Sequence, residues 1–329
     1  MRPARQAPSS RAQAGIALIA VLWLTTLLTV IASGFAFSMR GEALAARNAL
    51  SFAQARAAAD GAVERTAYEL QRPRNLADVW VADGEPRTWQ EGDIAITTFA
   101  VDESAKIDIN TASDALFRGL LQHIGGVDAD ASQRLLEAIL DWRDPDDLRR
   151  PNGAEEPEYV AAGLKYRPSN APFDTIGELQ RVLGMTPALF ARIADTLTVY
   201  SRQPGINPAT ASRDVLLALP NVTPEMVDAF LAQRADARAN KLPIPPFPGA
   251  QGFAAGAVPV WRIRAQAVTP DGVTFVRDAV LRPSMDVRRP LIALLWQEAV
   301  PAASPNPAAG NPNPAETNSA ATMNGTSNR

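Results

Sequence analysis

The 329-residue chain contains no cysteine, which removes disulfides, thiolate metal sites and cysteine nucleophiles without identifying a compartment. It has one histidine, too few for a His-based triad or a His-rich zinc site. That residue, His123, lies in Leu120-Leu121-Gln122-His123-Ile124 and reads as a helix residue near a turn. Aromatic residues are scarce, and the net charge of −3 gives no field for a polyanion. There is no P-loop and no Gly-x-Ser-x-Gly elbow, so the familiar signatures of nucleotide hydrolysis and acyl transfer are missing. Charge itself is absent over one long stretch, the 22 residues from Ile16 to Phe37.

As a helix that stretch is about 33 Å long, enough to cross the hydrocarbon core of a bilayer. Arg2, Arg5 and Arg11 precede it with no acid among them, so the expected orientation is N-terminus cytoplasmic and the bulk of the chain across the membrane. A secretory signal would end in a small-residue cleavage site after its apolar core. Here the small pair Ala14-Gly15 comes before the core. The arrangement resembles a type IV prepilin signal, which implies cleavage after Gly15 and methylation of the new N-terminal Ile16. It departs from that pattern at the fifth mature position, where Glu is usual and Ala20 stands. Loss of that Glu would be serious for a repeating subunit and matters less for one at a fibre end. A plain signal anchor is the other reading of the run.

Helical spacing continues beyond Phe37 through Leu44, Asn48, Phe52, Ala55, Ala59, Val63, Ala67 and Leu70, until Pro73 ends it. One helix is therefore expected from Ile16 to Leu70, amphipathic in its second half. Its packing partner is a sheet: Asp93–Val101 is β-branched, and Val260–Val268 alternates apolar and polar. The turn Thr269-Pro270-Asp271-Gly272 then joins it to Val273–Val280 as a hairpin. Between these strands the texture is helical. Asn110-Thr111-Ala112-Ser113 and Asn207-Pro208-Ala209-Thr210-Ala211-Ser212 look like two copies of one helix-start segment, each preceded by Ile and followed by a Leu-rich helix. A third helix pair is expected at Glu178–Met185 and Leu189–Ile193. Pro243–Gly249 reads as a stiff linker, and Pro301–Arg329, rich in Pro, Ala, Asn and Ser, as disordered.

The sharpest chemical cluster is Asp141-Trp142-Arg143-Asp144-Pro145-Asp146-Asp147, then Asn152-Gly153-Ala154-Glu155-Glu156-Pro157-Glu158. Carboxylates on both sides of a turn can wrap a hard cation, and calcium tolerates such irregular oxygen sets better than magnesium. The spacing is not that of an EF-hand. A solvated acidic loop, partly neutralised by Arg143, Arg149 and Arg150, accounts for it as well. As an acid–base pair these carboxylates lack apolar sequence neighbours that would raise a pKa, so no enzyme is expected. The helical hairpins raise the alternative of a membrane-anchored helix-hairpin-helix DNA-binding protein. Their turns at 125–128, 184–187 and 220–223 carry no Lys or Arg, and Asp102–Arg202 holds 17 acids against 11 bases. That surplus repels a duplex.

In order along the chain, the residues Gly15-Ile16, Val21-Leu22-Trp23-Leu24, Asp141-Trp142, Asp144-Pro145-Asp146 and Asn152-Gly153-Ala154-Glu155-Glu156 with Tyr159 carry a family resemblance. Asn170-Ala171-Pro172-Phe173, Glu178-Leu179 and Ile206-Asn207 with Thr210-Ala211 complete it. The chain resembles the K-type minor pseudopilins of type II secretion systems. The resemblance implies an α+β, pilin-like fold, a long N-terminal helix on a small antiparallel sheet, with an inserted all-α unit of helix-hairpin-helix (SAM-like) type. The expected division is a leader 1–15, a transmembrane half 16–37, pilin-like residues 38–105, an inserted helical unit 106–245, C-terminal strands 246–296 and a tail 297–329. It further implies one or two calcium ions held by Asp144, Asp146, Glu155 and Glu156, with Asp141 as a weaker candidate. Glu156 stands where the family often has Asp. The expected role is a subunit capping the pseudopilus tip and helping to start its assembly, in support of export across the outer membrane. The expected partners are the I- and J-type minor pseudopilins, the H type as a further candidate, the prepilin peptidase and the inner membrane. No nucleic acid and no small-molecule substrate are expected.

Overall fold

The computed structural model describes residues 13–73, 79–253 and 259–300. Most of the expected leader and the tail from Pro301 onward lie outside these. Helix α1 runs unbroken from Gln13 to Gln71, 59 residues, in agreement with the periodicity. From Ile16 on it is the one described helix long and apolar enough to cross a membrane, with a window of mean hydropathy 2.4 and no part of it buried. The hydroxyls of Thr25, Thr26 and Thr29 donate to carbonyls one turn back, those of Leu22, Leu22 and Thr25. These threonine hydroxyls are thereby satisfied within the helix, as a hydrocarbon surrounding requires.

The upper half of α1 lies on a five-stranded sheet made of β1 (Arg87–Glu91), β2 (Ile94–Asp102), β5 (Trp261–Val268), β6 (Thr274–Pro283) and β7 (Leu291–Glu298), in the order β1-β2-β5-β6-β7. Every pairing is antiparallel. The helix contributes Ala55, Ala59, Ala62, Val63 and Ala67, all buried, against Ile96, Ile263, Ala265, Ala267 and Ala279. Small side chains on both faces bring helix and sheet close, and a well-filled interface tolerates little added volume. Leu44 and Asn48, on the same stripe, lie below the sheet and are exposed. Strand β7 continues two residues past the expected limit of the folded chain at Trp296.

Three cross-links fix the direction of the sheet along α1. The Ser51 hydroxyl donates to Asp271 in the β5–β6 turn at 2.6 Å, Arg277 meets Asp60 at 2.6 Å, and Thr66 meets Thr98 at 3.2 Å. The β5–β6 turn is therefore at the end nearer the apolar half of α1. The opposite end, where Asp102 pairs with Trp261, faces away from it. The chain leaves β2 and returns to β5 at that far end.

Between these two strands lies the helical unit. It contains α2 (Asp114–Gly119), α3 (Ala129–Arg143), α4 (Glu156–Ala161), α5 (Pro187–Ile193), α6 (Arg213–Leu217) and α7 (Pro224–Ala239). A two-stranded parallel ladder, β3 (Ile107–Asp108) with β4 (Leu197–Thr198), lies near its start. The two helix-start segments act alike: Ser113 caps α2 by accepting from the Leu116 amide, and Ser212 caps α6 by accepting from Val215. Ile109 and Ile206, which precede them, are both fully buried. His123 is exposed on a single π turn, Leu120–Ile124, that continues α2.

Two expectations need correction. Glu178–Met185 is not an α-helix: a 3₁₀ helix, Ile176–Arg181, covers its first half and is followed by a turn through Gly184 at φ 89°, a left-handed conformation that favours glycine. The helical core also does not end at Pro245. Phe247 and Ala250 are buried in it, and the Phe247 ring sits 4.7 Å from that of Phe230. The proline-rich stretch is thus packed onto the helices by its one aromatic residue rather than spanning free solvent.

Candidate functional site

The acidic stretch begins in the last turn of α3 and ends at the first turn of α4. An aromatic cluster anchors both sides: Trp142 stacks on Phe173 with ring centroids 6.2 Å apart and approaches Tyr159 at 5.9 Å. The Tyr159 hydroxyl accepts from the Leu183 amide at 3.0 Å. Burial of Trp142 and Tyr159 draws their neighbours Asp141 and Glu155 out of solvent. Burial of these acids is thus imposed by the packing of the aromatic residues beside them.

Asp141 is fully buried. Its carboxylate accepts from the Arg150 guanidinium at 2.6 Å and from the Arg150 backbone N–H at 3.2 Å. The same guanidinium nitrogen also donates to Asp144. Gly153 lies so close that a Cβ there would stand 1.9 Å from an Asp141 oxygen, which explains the glycine on steric grounds. Asn152 is held from the other side, its backbone N–H donating to Glu137 at 2.5 Å and its side-chain amide at 3.1 Å.

Around this pair the negative charge is incompletely matched. Asp144 Oδ1 and Glu155 Oε1 are buried with no hydrogen-bond partner, an arrangement that costs free energy unless something positive or donating reaches them. Burial, and then the charges of Asp141, Asp144, Asp147 and Asp146, push the Glu155 carboxyl up to about 7. Burial also raises Asp141, against the lowering effect of Arg150. Arg150 is raised: its bonds to Asp144 and Asp141 outweigh its own desolvation. The expectation that nothing would raise a pKa here is therefore overturned. The burial comes from the fold, which packs Trp142 and Tyr159 together and draws the acids in with them.

Of the five expected ligands, Asp141, Asp144 and Glu155 are brought into one electrostatic neighbourhood. Asp146 is exposed at its margin, accepting from the Leu148 amide at 2.9 Å. Glu156 is not part of it. It is exposed and pairs with Arg167 at 3.4 Å on the outer face of α4, because one residue along a helix rotates the side chain by about 100°. Among the described residues no three His, Asp or Glu side chains already stand in metal-ligating geometry; the Arg150 guanidinium lies between Asp141 and Asp144. Sequence reading missed three contributors: Arg150 as the central cation, Glu137 as the anchor of Asn152, and Asp147, which accepts from the Asn170 side chain at 2.7 Å. Asp147 was visible as part of the acid run. The other two have no local signal. What the arrangement can do is hold a hard cation among oxygen donors; it offers no nucleophile and no histidine base.

Comparison with known proteins gives one consistent answer. Residues 95–205 match the family model for type II secretion system (T2SS) protein K. The chain is 30% identical over 232 residues to the type II secretion system protein K of Klebsiella pneumoniae, covering 63% of this chain and 69% of that protein. To its counterpart in Pectobacterium carotovorum subsp. carotovorum it is 29% identical over 249 residues, covering 68% and 75%. The fold is similar to that of a chain in the crystal structure of the GspK-GspI-GspJ complex from the enterotoxigenic Escherichia coli type 2 secretion system. That match has a TM-score of 0.56 at 16% identity and covers 78% of this chain and 99% of that one. With an apolar N-terminal helix suited to a single-pass anchor and an antiparallel sheet, the chain belongs to the type II secretion system protein K family, minor pseudopilins that are structural parts of a secretion machine and not enzymes.

Proposed function

We propose that this chain is the tip subunit of a type II secretion pseudopilus, anchored in the inner membrane through Ile16–Phe37 with its remaining mass in the periplasm. The observation that carries this reading is the position of the helical unit. Both of its junctions, Asp102 and Trp261, lie at the end of the sheet away from the apolar half of α1. Pilin-like subunits stack through their long helices, so a bulky unit above the sheet obstructs the next subunit on that side. The exposed lower stripe of α1, with Leu44, and the apolar half below it remain open to neighbours. Minor pseudopilins of the I and J types are the proposed neighbours, as in the complex with which the fold is compared, and their helices together with α1 would initiate the fibre. Gold label directed at an epitope on α7 should mark one end of each pseudopilus. Label distributed along the shaft would overturn the capping role.

The anchor requires processing that leaves it on the mature chain. Cleavage after Gly15 with methylation of Ile16 does so, and mass spectrometry of membrane-extracted protein should find that terminus. An intact Met1 end would count against it.

The acidic site is proposed to hold calcium. Asp144 and Glu155, each with an orphaned buried oxygen, fit a hard cation, and Asp141, Asp146 and Asp147 are the further oxygen donors within their electrostatic reach. Glu156 is left out of this set. A bound ion would supply positive charge that Arg150 alone does not, fixing the loop between α3 and α4.

A further inference from the structure

On the other side of the Pro151–Ala154 loop from Asp141 lies an open cleft of about 740 Å³ that the proposed metal site does not use. Helix α3 forms one wall and the turn from Leu183 into α5 forms the other. Its floor is apolar: Ala131, Leu135, Leu183 and Leu189, the last packed against Gly125 so closely that a Cβ there would meet it at 2.8 Å. Its rim carries three arginines, Arg134, Arg149 and Arg192.

The charge of this cleft is opposite to that of the unit containing it. None of its fifteen lining residues is acidic, although Asp102–Arg202 holds 17 acids against 11 bases. Arg149 has a partner, Glu158 at 3.3 Å, with half of its side chain still exposed. Arg134 and Arg192 are exposed and form no ion pair among the described residues. Exposed cations over an apolar trough suit a ligand with carboxylates for the rim and an aliphatic or aromatic side chain for the floor. A nucleic acid backbone would match the rim alone, leaving the floor unfilled, and would meet the net negative charge of the surrounding surface.

We propose that this cleft is a docking site for an extended segment of a partner protein, one in which an apolar side chain is flanked by Asp or Glu. The segment places its apolar side chain on Leu135 and Leu189 and its carboxylates on Arg134 and Arg192. The site is separate from the sheet and from α1, so it remains available when the long helix is engaged in a fibre, and it stands independently of the capping role.

The test uses the full chain in lipid nanodiscs and a phage-displayed library of random 12-residue peptides. Selection should converge on an apolar residue flanked by acids, and a fluorescent peptide of that consensus should bind with an affinity that falls as salt rises. Two variants separate rim from floor: Arg134→Glu combined with Arg192→Glu reverses the rim charge, and Ala131→Trp fills the floor with the charge unchanged. Each should weaken binding at least tenfold, while Arg213→Glu, outside the cleft, should leave it unchanged. Far-ultraviolet circular dichroism checks that each variant is folded. The proposal is overturned if no consensus emerges or if the consensus is basic. It is equally overturned if the peptide binds both cleft variants as it binds the wild type, or if duplex DNA binds the cleft more tightly than the peptide does.

Discussion

Two carboxylates on the sheet, Asp60 and Asp278, and the acidic cluster of the helical unit are matched by arginine differently. On the sheet, Asp60 and Asp278 each have an arginine of their own. Asp60 takes Arg277 at 2.6 Å, with the guanidinium 4.9 Å from the Phe275 ring and 5.4 Å from that of Trp296, and Asp278 takes Arg262 through two bonds of 3.0 and 2.6 Å. In the helical unit Asp141 and Asp144 share one nitrogen of Arg150, while Glu155, Asp146 and Asp147 add negative charge around them. Matched pairs complete a structure with what the chain itself supplies. An under-matched cluster stays dependent on something from outside, and the orphaned oxygens of Asp144 and Glu155 mark where that dependence lies.

The largest effect should come from removing the shared cation. Arg150→Ala leaves Asp141 buried without a counter-charge. Breaking such a pair typically costs 3–5 kcal/mol, and the one-third exposure of Arg150 places this case at the low end, about 3 kcal/mol. The matched counterpart, Arg277→Ala, should cost less, about 2 kcal/mol, because Asp60 is itself partly in water. Denaturant melts in chelator measure both. If calcium binds as proposed, it should recover part of the Arg150→Ala loss and none of the Arg277→Ala loss; equal behaviour of the two variants would erase the distinction.

Calcium itself should stabilise the wild type by about 2.7 kcal/mol at a hundredfold excess over Kd. Glu155→Gln should abolish most of that gain and Glu156→Gln should leave it intact, since Glu156 faces Arg167. A wild-type melting point that is the same in calcium and in chelator would remove the metal from the site. A further effect is a pH dependence in chelator. Glu155 in the folded protein sits at about 7, above the roughly 4.3 of an unfolded glutamate. The folded state therefore holds the proton more tightly, and the stability this contributes is present below pH ~4.3 and lost as pH rises through about 7. Apo stability should decline between pH 5 and 8, and Glu155→Gln should flatten that decline. A wild-type profile without slope in this window would mean that Glu155 is not held as the geometry requires.

Much of the fold was legible because its main elements have strong periodicity. The Ala55–Ala59–Val63–Ala67 stripe and the alternation of Trp261–Val268 each point to one face, and both faces meet as expected. The edge strand β1, with a single well-placed apolar residue at Trp89, has too little alternation to announce itself. In the acidic loop, residue type was readable and direction was not. Whether Glu155 or Glu156 turns inward depends on where α4 starts, and α4 starts where Tyr159 finds its aromatic partners. Arg150 looked like one of three loop cations. Only the turn through Gly153 brings it onto Asp141.

Asp102 and Trp261 are direct neighbours across two strands, yet the whole helical unit separates them along the chain. The entropy lost on closing a flexible loop grows with the logarithm of its length, and such distant pairings form late. If the helical unit condenses first, it replaces a long flexible loop with a short connection. The bond from the Glu103 amide to the Val260 carbonyl, 2.7 Å, would tie its return path to the end of β2. The sheet would then zip from the far end downward toward the β5–β6 turn, and this order of events becomes a quality check. A chain whose acidic loop fails to fold would be slow to close its sheet, leaving the Ala55–Ala67 face of α1 uncovered. Pulse-labelled hydrogen exchange during refolding should find α3 protected before β5, and the reverse order would refute this sequence of events.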